Sequence, residues 1–398
     1  MKEGWKCKKL GELAISMADG PFGSNLKKEH YTNRKEVRII QLSNIGEEGW
    51  RDENTKYTTY EHLETIKRSE VVSGDIVIAK MMPAGRAILC PDKESKYVLS
   101  SDAVRVTLKE SLSNRFILYS INSPSFRKQV YENVSGSGRV RTSLRKLRDC
   151  KIFVPPLSEQ QAIVSHLDSA FAKIDAVKAN AEKQLSDAKA LFQKELSKAM
   201  TLKEGWEEKK LGEVCGIIRG KRFVRADIVK DGIPCIHYGD IYTYYSLSVT
   251  KTRGCINPEL AKKMRFAKKN DVVVVQAGEN NWDIGVGVAY LGEEPAAVHD
   301  ACFVLRHNQN PMYISYYLRT YNYHQYLLDY VHEGKICSFL KPALENAPFP
   351  LPPLSEQQAI VTHLDTLSEK LKTVEEKQKA IMAECDAMKQ ALLREVFE

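Results

Sequence analysis

Apolar residues recur at alternating steps of four and three along two long stretches of the chain, residues 158–200 and 355–397. This spacing is typical of the a and d positions of a coiled coil. Neither stretch contains proline or glycine, and at 1.5 Å per residue each predicts a helix roughly 65 Å long. The helix-pairing positions that we predict are Ile163, Leu167, Ile174, Val177, Ile360, Leu364, Leu371 and Val374.

The residues before each stretch predict how the helix begins. Pro155 and Pro156 favour an extended entry, after which the Ser158 hydroxyl can cap the helix while Gln161, three residues later, bonds back to the Ser158 backbone. The same arrangement recurs at Ser355 and Gln358. We therefore predict a capping box at the start of each helix.

A repeated phrase shows that the chain is a tandem duplication. Residues 155–168 read PPLSEQQAIVSHLD and residues 352–365 read PPLSEQQAIVTHLD, identical at 13 of 14 positions. A second echo places Lys-Glu-Gly-Trp before Lys-Lys-Leu-Gly-Glu near both Trp5 and Trp206. Such repeats predict two copies of one architectural unit.

The repeat spacing predicts four segments. Two variable domains, residues 1–154 and 202–351, are each long enough to bury a core, and two shared helices occupy residues 155–201 and 352–398. The linker after the first helix is only a few residues long, so the second helix is expected to run back antiparallel along the first. The prediction is two globular domains separated by a pair of long antiparallel helices, with approximate two-fold symmetry.

Both variable domains are predicted to be mixed α/β. Short apolar runs between turn residues indicate strands, whereas aromatic and aliphatic residues at steps of three and four indicate helices. The predicted strands are Val37–Leu42, Gly74–Ala79, Val104–Leu108, Asp271–Val275 and Val286–Leu291, and the predicted helices are Asn114–Tyr131 and Pro311–Val331.

The positive charge is concentrated in the first variable domain. The net charge is +9 over residues 1–154 and only +2 over residues 202–351, out of +8 for the whole chain. A basic domain favours a polyanionic partner such as DNA. The nine cysteines form no C-x-x-C pair, so we expect reduced thiols in a cytoplasmic protein and no metal site. No stretch approaches the roughly 18 apolar residues of a membrane span, so we expect none.

Polar, basic and aromatic residues lie between the predicted strands and helices of both domains. Glycine lets backbone approach a phosphate, lysine and arginine neutralise it, and polar side chains read base edges. The candidate DNA-binding residues are Ser24, Asn25, Lys27, Lys28, His30, Tyr31, Arg34, Lys80, Arg86, Arg139, Arg141, Arg219, Lys221, Arg222, Arg225, His237, Tyr238, Tyr242, Tyr244 and Lys335.

No catalytic residues are assigned. Adenine methylation needs a glycine-rich cofactor loop and an Asn/Asp-Pro-Pro-aromatic motif, but Asn257-Pro258 and Asn310-Pro311 lack the second proline. Gly136-Ser137-Gly138 and Gly285-Val286-Gly287 lack the third glycine of a dinucleotide loop. Two functions remain open: a non-catalytic DNA reader, and a scaffold that joins other proteins without touching DNA.

The repeated phrase, the preceding Gly138-Arg139-Val140-Arg141-Thr142-Ser143-Leu144 and the motif Asp19-Gly20-Pro21-Phe22-Gly23-Ser24 resemble the specificity subunit of type I DNA restriction–modification enzymes. The resemblance covers the whole chain as two half-repeats. It implies two target-recognition domains, each reading one half of a split, asymmetric double-stranded DNA sequence, with the helix pair setting the gap between the halves.

The resemblance also implies partners and cofactors. Two methyltransferase subunits, which carry S-adenosylmethionine, would dock on the helices, and restriction subunits that use ATP and Mg²⁺ would join them. The chain itself would hold no cofactor. It would be a prokaryotic, DNA-associated cytoplasmic protein within an adenine-methylating restriction enzyme complex.

Overall fold

The computed structural model describes residues 4–81, 83–132, 141–332, 334 and 336–398. The chain folds into two compact units, residues 1–181 with 379–398 and residues 182–378. Each unit therefore contains one variable domain and part of both long helices. Arg139 and Lys335, two of the candidate DNA-binding residues, lie outside the described residues.

The first unit contains two four-stranded sheets and a two-stranded pair, with strand orders β2-β9-β6-β7, β4-β3-β8-β5 and β1-β10. Its strands are β1 (Lys6–Lys9), β2 (Ala14–Asp19), β3 (Val37–Ile40), β4 (Tyr57–Thr58), β5 (Glu70–Val71), β6 (Ile76–Ala79), β7 (Ala87–Leu89), β8 (Tyr97–Leu99), β9 (Ala103–Leu108) and β10 (Lys151–Val154). Its helices are α1 (Leu10–Leu13), α2 (Tyr60–Thr65), α3 (Asn114–Asn122), α4 (Pro124–Glu132), α5 (Leu144–Asp149) and the first part of α6 (Leu157–Ala199).

The second unit contains two five-stranded sheets and two pairs, with strand orders β12-β22-β18-β20-β15, β13-β16-β14-β21-β17, β11-β24 and β19-β23. Its strands are β11 (Glu207–Lys210), β12 (Gly216–Arg219), β13 (Ile228–Val229), β14 (Ile233–Ile236), β15 (Ser248–Val249), β16 (Gly254–Ile256), β17 (Phe266–Ala267), β18 (Val272–Val275), β19 (Ala277–Gly278), β20 (Gly287–Tyr290), β21 (Ala296–Val298), β22 (Cys302–Arg306), β23 (Cys337–Ser338) and β24 (Pro348–Leu351). Its helices are α7 (Leu211–Val214), α8 (Tyr238–Thr243), α9 (Pro258–Ala261), α10 (Pro311–Tyr317), α11 (Tyr321–Leu328), α12 (Lys341–Glu345) and the first part of α13 (Leu354–Phe397).

The most apolar strand of each unit is buried on both faces. In β6, Ile76 and Ile78 pack into one hydrophobic cluster whereas Val77 and Ala79 pack into another. The four valines of β18 divide between two clusters in the same alternating way. A strand covered on both sides has no solvent face, which explains why both sequences are continuous apolar runs.

The mixed α/β class is confirmed, but both long helices predicted inside the variable domains are broken. The segment Asn114–Tyr131 forms α3 and α4, because Pro124 cannot continue a helix and instead begins a new one. The segment Pro311–Val331 forms α10 and α11, with Thr320 capping α11 through the Tyr323 backbone N–H.

The two long helices pack antiparallel within both units. In the first unit Lys178 of α6 lies 2.7 Å from Asp386 of α13. In the second unit Gln378 of α13 donates a hydrogen bond to Gln184 of α6 at 2.9 Å. The predicted antiparallel helix pair is therefore confirmed, and Gln378 is buried at the contact between the helices.

One of the predicted seam positions in the first helix is exposed. Leu167, Ile174 and Ala181 are buried as expected, but Val177 is 52 % exposed, so its assignment to the seam is wrong. The neighbouring residues Phe171 and Lys178 are partly buried instead. The Phe171 ring packs against the hydrophobic cluster of the first unit, and Lys178 reaches Asp386.

The predicted capping box is also wrong. Both long helices begin one residue earlier, at Leu157 and Leu354, which places Ser158 and Ser355 inside the first turn. The Pro156 carbonyl accepts the first hydrogen bonds, from the Glu159 and Gln160 N–H groups. The glutamine that bonds back to the residues before the helix is Gln160, which donates to Pro155 O at 2.8 Å, and not the predicted Gln161.

Candidate nucleic-acid interface

The loops that carry most of the candidate cations leave equivalent strands of the two units at equivalent points. Gly20, after β2, donates its backbone N–H to Ala103 O at 3.0 Å, and Gly220, after β12, donates to Cys302 O at 2.9 Å. A Cβ atom on either glycine would overlap a backbone carbonyl oxygen. Only glycine permits this close approach, so both loops depart from the same backbone geometry.

A second set of backbone hydrogen bonds matches between the units. The Lys80 N–H donates to Asp102 O at 2.8 Å and the Gln276 N–H donates to Ala301 O at 2.7 Å. The carbonyls of Lys80 and Gln276 then accept from Thr142 N at 2.9 Å and from Phe339 N at 3.3 Å. We call the segments joined by these bonds and by the two glycine bonds the recognition frame. In the first unit the frame comprises residues 19–20, 79–80, 102–103 and 141–142, and in the second unit residues 219–220, 275–276, 301–302 and 338–339.

A cavity of about 630 Å³ opens at the recognition frame of the first unit. Asp19, Lys80, Asp102 and Arg141 line it together with Phe22. The Phe22 ring is 83 % exposed, an unusual state for a large apolar side chain. The cavity thus combines acidic, basic and aromatic groups that are far apart in the sequence.

The loop beside this cavity presents an exposed polar and basic surface. Ser24, Asn25, Lys27, Lys28 and Arg34 are exposed. Their side chains can therefore reach a phosphate backbone without rearrangement of the fold.

Two other candidates from the same loop are half-buried and help to hold it in place. The imidazole of His30 accepts a hydrogen bond from the Lys27 N–H at 3.1 Å and stacks on His62 with ring centroids 4.1 Å apart. Tyr31 packs against the cluster around Ile39. These contacts position the loop rather than present the two rings to solvent.

The second unit presents four exposed arginines and lysines at the matching place. Arg219, Lys221, Arg222 and Arg225 are all exposed. The Arg219 Nε donates to the Asp300 backbone carbonyl at 2.9 Å. This local cluster is strongly basic although the domain as a whole is nearly neutral.

Burial argues against direct DNA contact by His237. Its side chain is 5 % exposed, and its Nδ1 accepts the Gly239 N–H at 3.2 Å as the cap of α8. Burial, with smaller contributions from His299 and Arg225, lowers the pKa of His237 to about 4. A neutral, capping imidazole stabilises the local fold.

The tyrosines that follow His237 differ in exposure. Tyr238 and Tyr242 are half-buried, and burial raises the pKa of Tyr242 to about 12. Tyr244 is 59 % exposed and lies under the Arg253 guanidinium, 3.3 Å from the ring centroid. Tyr244 is therefore the ring of this group best placed to stack on a base.

Arg86 and Lys80, two candidate cations of the first unit, are less available than the loop lysines. Arg86 is half-buried, its Nε donates to Pro83 O at 3.2 Å, and burial lowers its pKa. The Lys80 side chain is 11 % exposed and its Nζ lies 2.7 Å from Asp19 Oδ1. Sequence reasoning selected both cations but missed Asp19, the acidic partner of Lys80.

Sequence reasoning also missed the residues that join each domain to its helix. Trp5 Nε1 donates to Glu159 and Trp206 Nε1 donates to Glu356, both at 2.9 Å. Tyr316 donates to Asp365 at 2.7 Å. The acceptors Glu159, Glu356 and Asp365 belong to the repeated phrase. The near-identity of its two copies was therefore the signal that could have identified them.

Three comparisons with known proteins agree with this architecture. A family model described as "Type I restriction modification DNA specificity domain" matches residues 2–186 and 203–383. The chain is 22 % identical to the EcoBI type I restriction enzyme specificity subunit of Escherichia coli, over 96 % of this chain and 84 % of that protein.

Two solved structures share the fold, each at 21 % identity. One, described as "Structural basis underlying complex assembly and conformational transition of the type I R-M system", covers 100 % of this chain and 98 % of its own with a TM-score of 0.75. The other, the crystal structure of the HsdS subunit from Thermoanaerobacter tengcongensis, covers 100 % and 97 % with a TM-score of 0.52.

Proposed function

The chain belongs to the family of type I restriction–modification DNA specificity domains, and from this premise we propose that each of its two domains reads one half of a bipartite, asymmetric DNA sequence. It is a DNA specificity subunit of a type I restriction enzyme complex, and such subunits are non-catalytic. Methyl transfer and DNA cleavage are therefore assigned to partner subunits.

The observation that carries this proposal is the matched recognition frame. The two units repeat the same backbone hydrogen bonds at Gly20 and Gly220, yet the loops that follow them have different sequences. A constant backbone with variable side chains suits two readers of one kind that recognise different bases. Unlike side chains imply unlike half-sites, so the recognised sequence is not a palindrome.

Exposed cations of the two loops would contact phosphate and set the position of each domain on the duplex. In the first unit these are Lys27, Lys28 and Arg34, and in the second Lys221 and Arg222. Phosphate contacts orient the protein but carry no sequence information. Base readout must therefore come from other side chains of the recognition frame.

The long helices would dock two methyltransferase subunits, which bind S-adenosylmethionine, and restriction subunits using ATP and Mg²⁺ would join the complex. The repeated phrase supports this, because part of its identity is not explained by contacts to the domains. Leu157 and Leu354 are 41 % and 56 % exposed, and His166 and His363 are also exposed. Identical exposed residues on both helices suit two copies of one partner.

Replacing Leu157 and Leu354 by Asp tests the docking surface. We expect methylation to be lost while the circular dichroism and thermal midpoint of the isolated chain stay unchanged, because both side chains already face solvent. The control is Val177→Asp, since Val177 is equally exposed but lies outside the phrase. Full methylation by the double variant would refute docking at this surface.

A domain exchange tests the assignment of half-sites. Residues 20–145 are replaced by those of a relative with a different specificity, and the methylome of cells that carry the chain with its partners is determined. We expect one half of a bipartite motif to change while the other half and the gap are retained. A continuous palindrome, or a change in both halves, would refute the proposal.

A further inference from the structure

Comparison of the two recognition frames identifies four backbone positions that coincide but carry different side chains. The β2–β9 and β12–β22 registers pair Asp19 with Val104 and Arg219 with Phe303. The inner strands pair Ala79 with Ala103 and Val275 with Cys302. The residue at the end of the first strand of each frame is therefore Asp19 in one unit and Arg219 in the other.

The remaining three positions follow from the frame hydrogen bonds. Lys80 corresponds to Gln276, and Asp102 to Ala301, because each pair makes the same N–H to carbonyl bond. Thr142 and Phe339 donate to the carbonyls of Lys80 and Gln276. The residues that precede these two donors, Arg141 and Ser338, therefore also correspond. All four positions of the first unit line its cavity.

From this comparison we infer that the four positions of the first unit are base-reading positions, an inference that rests on the proposed function. In the first domain Arg141 and Lys80 read guanine, and Asp102 and Asp19 read the exocyclic amine of cytosine or adenine. The matched residues in the second domain are Arg219, Gln276, Ala301 and Ser338. Gln276 is 7 % exposed and donates to Phe339 O, so the other three would read a different half-site there.

Closer and less exposed ion pairs distinguish these residues from the loop cations, since Lys27 lies 3.4 Å from Glu29 with both side chains more than half exposed. Lys80 pairs with Asp19 at 2.7 Å, and Arg141 pairs with Asp102. Each pair has no net charge, so it contributes little to the displacement of counterions from DNA, which underlies non-specific affinity. Each pair does present donors beside acceptors, the combination that a major-groove base edge requires.

The fold itself does not require the two ion pairs. In the second unit the same backbone bonds form around Gln276 and Ala301, and the Gln276 side chain donates to Phe339 O at 2.7 Å. Burying an ammonium group is unfavourable even when it is paired, and the Lys80 side chain is only 11 % exposed. Because the frame forms without these charges, their presence in the first domain points to ligand chemistry.

The first domain can be tested with residues that the second domain already carries at the matched positions. The double variant Asp102→Ala, Arg141→Ser is assayed in the full chain with its methyltransferase partner. We expect the first half of the methylated motif to relax at one or two positions, with discrimination reduced roughly 5- to 150-fold for each lost bidentate contact. The second half and the salt dependence of DNA affinity should not change.

The matched control is Lys27→Ala, Lys28→Ala, which removes two exposed cations from the adjacent loop. It should weaken binding to all sequences and reduce the slope of log K against log salt by about 1.8, since each phosphate contact contributes about 0.9. Its methylated motif should stay intact. The two variants thus separate base readout from phosphate binding.

Several results would overturn the inference. If the Asp102→Ala, Arg141→Ser variant keeps the full motif, or changes only the salt slope, the four positions do not read bases. If that variant does not fold, Arg141→Lys is decisive, because it retains the ion pair but loses the planar fork that recognises guanine; an unchanged motif would refute the inference. A wild-type motif that is not bipartite would instead refute the proposed function.

Discussion

Replacing Gln160 by Ala tests how the repeated phrase joins each domain to its helix. The side chain is 2 % exposed and connects three segments. Its Oε1 accepts the Ser113 N–H at 2.9 Å, at the start of α3, and its Nε2 donates to Pro155 O at 2.8 Å. The substitution therefore removes the partners of two backbone groups at once, at the point where α6 begins.

The magnitude follows from those two groups. A buried backbone donor or acceptor that loses its partner costs about 1–3 kcal/mol, so the two together predict a loss of about 2–6 kcal/mol from the stability of the first unit. Water entering the space left by the amide would reduce the effect towards the lower value. Gln161→Ala is the control, since Gln161 is exposed in the same helical turn and its loss should change stability by about 0.5 kcal/mol or less.

Hydrogen exchange is the appropriate assay, because a single two-state free energy of unfolding does not describe a chain of two compact units. A loss of 2 kcal/mol predicts that the Ser113 amide exchanges at least roughly 30-fold faster in Gln160→Ala than in the wild type. Gln357→Ala repeats the test in the second unit at the Asn310 amide, which bonds to Gln357 at 3.0 Å. Exchange at Ser113 within threefold of the Gln161→Ala rate would refute the reasoning.

Two further predictions concern the helix seam and pH. Leu167→Lys should destabilise the first unit by more than about 3 kcal/mol because Leu167 is fully buried, whereas Val177→Lys should change it by less than about 1 kcal/mol because Val177 is 52 % exposed. Hydrogen exchange at the core amides of the first unit measures both losses, and equal losses would contradict the observed register. Burial lowers the pKa of His237 from 6.5 to about 4, so the unfolded chain binds the proton first as the pH falls. The stability that neutral His237 contributes is fully present above pH 6.5, and up to about 3 kcal/mol of it is lost between pH 6.5 and 4. His237→Asn, which keeps an acceptor for the Gly239 N–H, should flatten the pH dependence of unfolding of the second unit, and an unchanged slope would exclude His237 as its source.

Within the described residues, no helix is both long enough and apolar enough to cross a bilayer, and no group of three or more His, Cys, Asp or Glu side chains is arranged to hold a metal ion. The recognition frame and the loops beside it present hydrogen-bonding and charged groups. Among these, the exposed loop cations were the easiest to predict, because lysine and arginine next to glycine are a local signal.

The buried members of the recognition frame were harder to predict. Lys80 and Arg141 were selected as isolated cations, and their pairing with Asp19 and Asp102 depends on strands that are distant in the sequence. His237 was selected for its ring chemistry, but its side chain caps α8 by accepting the Gly239 N–H. No local sequence pattern distinguishes a ring that faces DNA from one that faces the core.

The sequence by itself determined the duplication and the two long helices, because a repeated phrase, a heptad pattern and an absence of helix breakers are visible without the fold. The short linker after the first helix predicted the antiparallel pairing. Only the tertiary structure decided which face of each helix is buried. One helical turn after Ile174, at about 3.5 to 3.6 residues per turn, falls between Val177 and Lys178. The sequence period therefore does not decide which of the two faces the other helix, and packing does. The four matched positions were decided in the same way, since residues 19, 80, 102 and 141 meet only after three strands have paired, and the same backbone carries different chemistry in each half.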